Sequence, residues 1–161
     1  MNCKRIAIVP GSFDPITNGH LDILRRAASE YEVVYLAVMI NASKQYLFSI
    51  EQRTEIAKAA TSDIKNVKVI SSEGMLWRLA KELDADAIVK GYRNPTDYAY
   101  ELEMAKFNEE HYPLAKTVLL KADPKLEELS STALREKLAR NESIEELIPK
   151  AAAELVYKFY K

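Results

Sequence analysis

Short apolar runs recur along the chain and are separated by segments whose apolar residues repeat at helical spacing. The runs predict five buried strands, over residues 6–9, 33–38, 67–70, 87–89 and 117–120. The periodic segments predict helices that begin at His20 and Ser49, and helices over residues 76–83, 96–110 and 131–140. Alternation of strands and helices is typical of a doubly wound α/β fold. We therefore expect a five-stranded parallel sheet of the Rossmann type, followed by C-terminal helices.

Details within the helical segments predict how the helices begin and pack. Two capping boxes are predicted, Ser49 with Gln52 and Ser143 with Glu146. In the helix over 96–110, the residues available for packing are Leu102, Ala105 and Phe107. In the last helix they are Ala152, Leu155, Val156 and Phe159. No linker, repeat or low-complexity tract interrupts the pattern, which predicts a single domain over 1–161.

Composition narrows the class of protein. Hydrophobic residues make up 48% and charged residues 29% of the chain, as in ordinary soluble globular proteins. A net charge of −1 provides no general field for holding nucleic acid. The one cysteine, Cys3, cannot form an internal disulfide and is expected to be an incidental thiol. We see neither a signal peptide nor a transmembrane run, and we expect a cytoplasmic protein without membrane contacts.

The end of the first strand has the character of an anion-binding corner. The apolar run ends in the turn of Gly11, and a helical pattern begins at His20. The first N–H groups of a helix are unpaired and carry the positive end of its dipole. This combination attracts phosphate, and His20 adds a side-chain donor in the first turn.

Polar residues follow the other strands as well. Lys44 follows the second strand, Lys90 and Arg93 follow the fourth, and Ser130 to Thr132 follow the fifth. Ligands of open parallel sheets bind beyond the carboxyl ends of the strands, so we expect these groups to meet around a phosphate-rich ligand. Neither G-x-G-x-x-G nor the P-loop pattern is present, and no residues have metal-site spacing.

The motifs together resemble a known family. Gly11-Ser12-Phe13-Asp14-Pro15 with Thr17-Asn18-Gly19-His20 is similar to the T-x-G-H signature of the nucleotidylyltransferase superfamily. Further blocks resemble those of the bacterial phosphopantetheine adenylyltransferases: Ser43-Lys44, Lys90-Gly91-Tyr92-Arg93, Asp97-Tyr98-Ala99-Tyr100-Glu101 and Ser130-Ser131-Thr132. The resemblance extends nearly end to end. It implies the nucleotidylyltransferase fold and transfer of the adenylyl group of ATP to 4′-phosphopantetheine, giving dephospho-coenzyme A and pyrophosphate.

The resemblance also implies roles for individual residues. His20 would stabilise the transition state. The residues matching acceptor-binding positions are Ser12, Lys44, Leu76 and Lys90. The residues matching ATP-binding positions are Ser12, Phe13, His20, Gly91, Tyr92, Arg93, Glu101, Leu126, Glu127, Glu128, Leu129, Ser130, Ser131 and Thr132. The family usually has arginine at the position of Lys90. Mg²⁺ bound to ATP, a homohexamer and feedback inhibition by coenzyme A are further implications.

Two other functions are compatible with the sequence. A different transferase of the superfamily would act on nicotinamide mononucleotide, or on a polyol phosphate with CTP. A non-catalytic module would bind ATP as a sensor without releasing pyrophosphate. The T-x-G-H form and the Lys44 and Lys90 blocks favour the adenylyltransferase over the other transferases. The presence of His20 together with both lysines argues against the sensor module.

Overall fold

The structure is a computed structural model that describes residues 5–160. Its strands are Ile6–Gly11 (β1), Val33–Ile40 (β2), Val67–Glu73 (β3), Ala87–Tyr92 (β4) and Lys116–Lys121 (β5). Its α-helices are Asn18–Glu30 (α1), Ile50–Ala60 (α2), Leu76–Glu82 (α3), Pro95–His111 (α4), Ser131–Ala139 (α5) and Lys150–Tyr160 (α6). The five predicted strands are confirmed. Cys3 lies outside the described residues.

The strands form one parallel sheet in the order β3-β2-β1-β4-β5. This confirms the predicted doubly wound α/β fold. β2 pairs with one edge of β1, whereas β4 pairs with the other edge. The strand order therefore reverses between β1 and β4. In such sheets the crevice for a ligand lies at this reversal.

Two apolar cores cover the faces of the sheet. Ala7 and Val9 of β1 belong to the larger core, which also contains buried residues of α1, α2, α5 and α6. Ile8 points to the opposite face and packs with Leu79 and Ala80 of α3. Successive strand residues therefore serve different cores, as expected when helices cover both faces of a parallel sheet. Among residues 5–160, none of the helices has both the length and the apolar character that crossing a bilayer requires.

All five strands are longer than predicted, and α1 begins earlier. The extensions of β4 and α1 bear on the site. β4 does not stop at Val89 but continues to Tyr92, which pairs with Lys121 of β5. α1 begins at Asn18 rather than at His20, because Thr17 caps the helix two residues earlier. These extensions fix Lys90 in the sheet and His20 in the first helical turn.

The predicted capping box of Ser143 and Glu146 is wrong. The hydroxyl of Ser143 accepts a hydrogen bond from the N–H of Glu145 at 3.3 Å, in a turn that precedes α6. Ile144 is fully buried, and its N–H donates to the hydroxyl of Tyr157 at 3.1 Å. This segment is therefore docked against α6, which begins only at Lys150. The predicted capping box of Ser49 and Gln52 is confirmed.

The predicted packing of α4 is only partly correct. Ala105 is buried, but Leu102 is 38% exposed and Phe107 is 37% exposed. The other buried residue of α4 is Asn108. The apolar residues of α4 are spread around the helix rather than gathered on one face, so the sheet covers only part of them. The apolar stripe predicted for α6 is confirmed, since its four residues lie in or against the larger core.

Candidate active site

A cavity of about 420 Å³ opens where the strand order reverses, beyond the carboxyl ends of β1 and β4. The first turns of α1 and α5 form two of its sides. Many of the residues proposed from the sequence line it: Phe13, His20, Lys90, Gly91, Tyr92, Arg93, Glu101, Leu126, Leu129, Ser130, Ser131 and Thr132. The fold thus brings together polar groups that are more than 100 positions apart in the chain.

The turn after β1 is shaped by the ring of Phe13. Phe13 has a φ of 47°, in the left-handed region that is strained for residues other than glycine, and its side chain is buried. A Cβ atom at Gly11 would lie 2.9 Å from Cζ of this ring. The edge of the Phe13 ring meets the His20 ring, with 5.0 Å between the centroids. Gly11 therefore leaves room for Phe13, which in turn supports one side of His20.

Thr17 determines which nitrogen of His20 carries the hydrogen. The backbone N–H of Thr17 donates to Nδ1 of His20 at 3.0 Å, and the Thr17 hydroxyl lies 3.2 Å from the same atom. Because Nδ1 accepts a hydrogen bond, the hydrogen of the neutral ring is on Nε2. His20 is therefore arranged as a donor through Nε2. Its own backbone N–H is paired with the Thr17 hydroxyl, in a reciprocal capping box.

The surroundings of His20 keep its ring neutral. Desolvation in the cavity wall, together with the positive charge of Arg93, lowers the pKa of His20 from 6.5 to about 4. Desolvation is the larger of these two causes. At neutral pH, His20 acts on a ligand by a directional hydrogen bond and not by a net charge.

Lys90 and Glu101 form an ion pair inside the cavity. Nζ of Lys90 lies 2.8 Å from Oε1 of Glu101, and both side chains are largely buried. The pair connects the end of β4 to α4. An ammonium group has three donors, so Lys90 can keep Glu101 as a partner and still bind a phosphate oxygen. Glu101 thereby holds Lys90 at the cavity, which the sequence did not reveal.

Arg93 stands at the mouth of the cavity, where Asp97 orients it. Nε of Arg93 lies 3.2 Å from Oδ2 of Asp97, one turn along the start of α4. The backbone N–H of Arg93 donates to the same carboxylate oxygen at 3.3 Å. The contact uses Nε, and within residues 5–160 the two terminal NH₂ groups have no hydrogen-bond partner. They are suited to binding a phosphate in the planar manner of a guanidinium.

The first turn of α5 faces the cavity with its hydroxyls already in use. The Ser130 hydroxyl accepts from the N–H of Ala133 at 3.0 Å, and the Ser131 hydroxyl donates to the carbonyl of Pro15 at 2.7 Å. The Thr132 hydroxyl accepts from Arg135 at 3.1 Å. Ser130 is therefore the N-cap of α5. The first N–H groups of α5 remain as donors at the cavity, together with the dipole of the helix.

Some of the residues proposed from the sequence lie beside the cavity rather than in its wall. Nζ of Lys44 lies 3.4 Å from the hydroxyl of Ser12, which places these two groups next to each other at the end of β1. Leu76 begins α3 and packs against the smaller core. Glu127 borders a second, open pocket next to Arg93, and Glu128 is exposed on the surface.

Sequence reasoning missed several polar residues that hold the site together. Asp14, Arg53 and Arg135 were not proposed, although the first two are buried. Arg135 donates to the carbonyl of Asp14 at 2.8 Å and so ties α5 to the turn after β1. The spacing of Thr17 and His20, three residues apart at a helix start, was a usable signal of a capping box. No comparable local signal marks Arg53, whose partners are distant in the chain.

Comparisons with known proteins show which family the chain belongs to. Residues 8–137 match the model of the Cytidylyltransferase-like family. A phosphopantetheine adenylyltransferase of Caldanaerobacter subterraneus subsp. tengcongensis is 42% identical over 158 residues, covering 98% of this chain and 99% of the relative. The chain belongs to the phosphopantetheine adenylyltransferase family. Members from Clostridium novyi and Lactobacillus acidophilus are 43% and 40% identical over 90% and 95% of this chain, and over 90% and 96% of their own lengths.

A solved structure supports the fold. A putative nicotinate-nucleotide adenylyltransferase from Vibrio parahaemolyticus superposes with a TM-score of 0.75, covering 97% of this chain and 93% of its own. Its sequence is only 20% identical, so the likeness concerns the fold alone. The family assignment depends on the more similar phosphopantetheine adenylyltransferases.

Proposed function

We propose that this protein transfers the adenylyl group of ATP to 4′-phosphopantetheine, producing dephospho-coenzyme A and pyrophosphate. The observation that carries the proposal is the cavity between β1 and β4. There a neutral His20 donor lies with Lys90, Arg93 and the N-terminus of α5, in a chain that belongs to this family. The site is rich in phosphate-binding donors. Transfer between two phosphate groups needs no side-chain nucleophile.

The reaction is a displacement at the α-phosphorus of ATP. An oxygen of the acceptor phosphate forms the new bond to phosphorus, and the bond to the oxygen that bridges the α- and β-phosphates breaks. The attacking phosphate is already ionised near neutral pH, so it needs no strong base. Positioning and stabilisation of negative charge provide the catalysis. The Nε2–H group of His20 donates to the α-phosphate, where charge develops in the transition state.

The remaining groups bind the two ends of the reacting pair. Ser12 and Lys44, whose side chains lie 3.4 Å apart, bind the acceptor phosphate together with Lys90. Leu76 contacts the pantetheine arm. Arg93 and the first turn of α5, from Ser130 to Thr132, bind the departing pyrophosphate. Phe13, Gly91, Tyr92, Glu101 and residues 126–129 surround the nucleotide.

Mg²⁺ enters as part of the ATP substrate. Within residues 5–160, no group of three or more His, Cys, Asp or Glu side chains is placed to hold a metal ion. The two carboxylates that line the cavity, Asp97 and Glu101, are engaged by Arg93 and Lys90. This donor set favours Mg²⁺ that is held mainly by phosphate oxygens and water.

Three further properties complete the proposal. Coenzyme A contains both the pantetheine and the adenylyl groups, so it competes for the same cavity and inhibits the enzyme. The exposed apolar residues of α4 are covered by other copies of the chain in a homohexamer. The protein works in the cytoplasm, where ATP and coenzyme A precursors are available.

The direct test is a pyrophosphate-release assay with the purified chain, ATP, Mg²⁺ and 4′-phosphopantetheine. We expect pyrophosphate and dephospho-coenzyme A in equal amounts. Parallel reactions contain nicotinamide mononucleotide as acceptor, or CTP with a polyol phosphate. Faster turnover in either would assign the chain to the alternative transferase. ATP binding without pyrophosphate from any acceptor would identify the sensor module instead.

A further inference from the structure

Arg53 has an unusual position for a charged residue. It is the largest fully buried side chain in the described part of the chain, with 1% of its surface exposed. It lies in the first half of α2, outside the cavity wall. Burying a cation costs a large desolvation free energy unless hydrogen bonds compensate for it. The partners of Arg53 therefore indicate what the buried charge accomplishes.

The guanidinium of Arg53 binds three backbone carbonyls from three segments. Nη1 donates to the carbonyl of Ser12 at 2.7 Å and to that of Met39, near the end of β2, at 3.1 Å. Nε donates to the carbonyl of Phe48 at 3.2 Å. One side chain thus joins the turn after β1, the end of β2 and the segment that leads into α2.

Asp14 holds the same segment from the other side. Its carboxylate accepts from the backbone N–H of Leu47 at 2.8 Å and from that of Phe48 at 3.0 Å. Phe48 is therefore bound at its N–H by Asp14 and at its carbonyl by Arg53. Both charged residues are buried. Arg53 binds the turn and the segment, whereas Asp14, which lies in the turn, binds the segment. Segment 41–48, which carries Lys44, is fixed at its C-terminal end.

Arg53 also contacts Tyr46, which lies two residues after Lys44. The guanidinium carbon of Arg53 lies 3.8 Å from the centroid of the Tyr46 ring. The Tyr46 hydroxyl accepts from the backbone N–H of Asn41 at 2.9 Å. The carbonyl of Asn41 accepts in turn from the N–H of Lys44 at 3.0 Å. A continuous set of contacts therefore connects the buried charge with the backbone of Lys44.

We propose that Arg53 is a positioning residue for the acceptor phosphate, because it fixes Ser12 and the Lys44 segment relative to each other. This inference rests on the proposed function. Arg53 contacts no substrate itself. It acts on the pair formed by the Lys44 ammonium and the Ser12 hydroxyl, 3.4 Å apart. The ATP side of the cavity, at Arg93 and α5, makes no hydrogen bond to Arg53.

The test compares the two substrates in the Arg53→Lys variant. Lysine keeps the charge but has neither the planar fork that reaches three carbonyls nor the flat face that stacks on Tyr46. We expect the KM for 4′-phosphopantetheine to rise about tenfold, a loss of about 1.4 kcal/mol. The KM for ATP, a substrate that the resemblance also assigns to Ser12, should rise no more than about threefold, because Lys44 lies on the acceptor side. Hydrogen exchange should become faster in residues 41–48 but not in residues 90–101.

Two further variants make the result decisive. Ile56→Val is the matched control, since Ile56 is fully buried on the same helix but lies in the larger core. It should lower thermal stability without raising the KM for 4′-phosphopantetheine relative to the KM for ATP. Tyr46→Phe removes only the hydroxyl that binds Asn41, and we expect a roughly threefold rise in the acceptor KM. Tyr46→Phe decides the matter if Arg53→Lys does not fold.

The outcomes separate this inference from the proposed function. Equal rises in both KM values, or a loss of kcat alone as the folded fraction falls, would overturn the role of Arg53. An acceptor KM that is unchanged in both Arg53→Lys and Tyr46→Phe would overturn it too. No pyrophosphate from the wild-type chain would contradict the proposed function itself, and the inference would fail with it. Faster exchange confined to 41–48, with an acceptor-specific KM effect, would support the inference.

Discussion

At the residue scale, the ring of His20 is held by Thr17 at Nδ1 and supported by the edge of Phe13. These contacts leave Nε2–H as the donor for a ligand. Lys90 and Arg93 bring charge to the same cavity, and each is oriented by a carboxylate of α4. The site thus combines one neutral donor of fixed direction with two cations of fixed position.

His20→Ala tests the transition-state role. We expect kcat to fall about 100-fold or more, because a donor to developing charge contributes mainly in the transition state. The dissociation constant of ATP should change less than about threefold, as measured by calorimetry. Asn18→Ala is the control, since Asn18 lies in the same turn but binds the carbonyl of Glu146. Equal losses of turnover and ATP affinity would reduce His20 to a binding residue.

The lowered pKa of His20 predicts a pH dependence of stability. Below pH 6.5 the unfolded chain binds a proton at His20, while the folded chain stays neutral there down to about pH 4. The free energy of unfolding therefore decreases as the pH falls through this window. Between pH 7 and 5 we expect the wild type to lose roughly 1–2 kcal/mol more than His20→Gln does in urea titrations. Parallel losses in the two proteins would contradict the lowered pKa.

Lys90 stands where, by the family resemblance, arginine is usual. Lys90→Ala removes the charge that we propose binds the acceptor phosphate, and it leaves Glu101 without its ion-pair partner. We expect mainly a higher KM for 4′-phosphopantetheine, about tenfold or more. Lys90→Arg should keep activity, since it restores the charge and adds a second donor. Steady-state kinetics with an unchanged acceptor KM in Lys90→Ala would remove Lys90 from the site.

At the element scale, the approach of α1 to β4 determines the width of the cavity. Gly91 lies in β4, and a Cβ atom added there would be 2.8 Å from Cγ1 of Ile23 in α1 and 3.0 Å from its Cδ1. Ile23 is buried, so its side chain has little room to move away. The absence of a side chain at Gly91 therefore lets the helix bring His20 close to the end of β4.

Gly91→Ala should accordingly lower stability by about 1–3 kcal/mol through overpacking. Ile23→Ala removes both clashing atoms, so the double variant should be less destabilised than the sum of the two single variants. Urea unfolding of the four proteins measures this coupling. Additive effects would show that Ile23 is not the residue that opposes the added methyl group.

At the scale of the whole molecule, α4 presents apolar side chains to solvent. Tyr100, Met104 and Phe107 recur at helical spacing and are 63%, 38% and 37% exposed. Exposed apolar stripes of this kind mark surfaces that another molecule covers. Other copies of the chain are the proposed occupants, as the family resemblance implies.

Phe107→Glu tests the proposed assembly. A charge placed in an apolar interface is costly to bury, so we expect sedimentation velocity to show smaller species than the proposed hexamer of the wild type. Tyr160→Glu is the control, because Tyr160 is similarly exposed, at 39%, but lies on α6. Identical sedimentation of the Phe107→Glu and wild-type proteins would exclude this face of α4 from the interface. A monomeric wild type would contradict the hexamer itself.

The amino-acid sequence was enough to predict the five strands, their alternation with helices and the corner from Gly11 to His20. Those features depend on apolar periodicity and on turn and capping residues a few positions apart. It also predicted most residues of the cavity wall, because the carboxyl ends of parallel strands meet at one edge of the sheet.

Tertiary structure alone decided which polar groups pair and which apolar residues are covered. Asp97 and Arg93 are neighbours in sequence, but Lys90 meets Glu101 only because α4 returns to β4. Likewise, Arg53 of α2 reaches Ser12 after β1, 41 positions away in the chain. Such contacts depend on how elements pack, and composition and periodicity do not encode that packing locally.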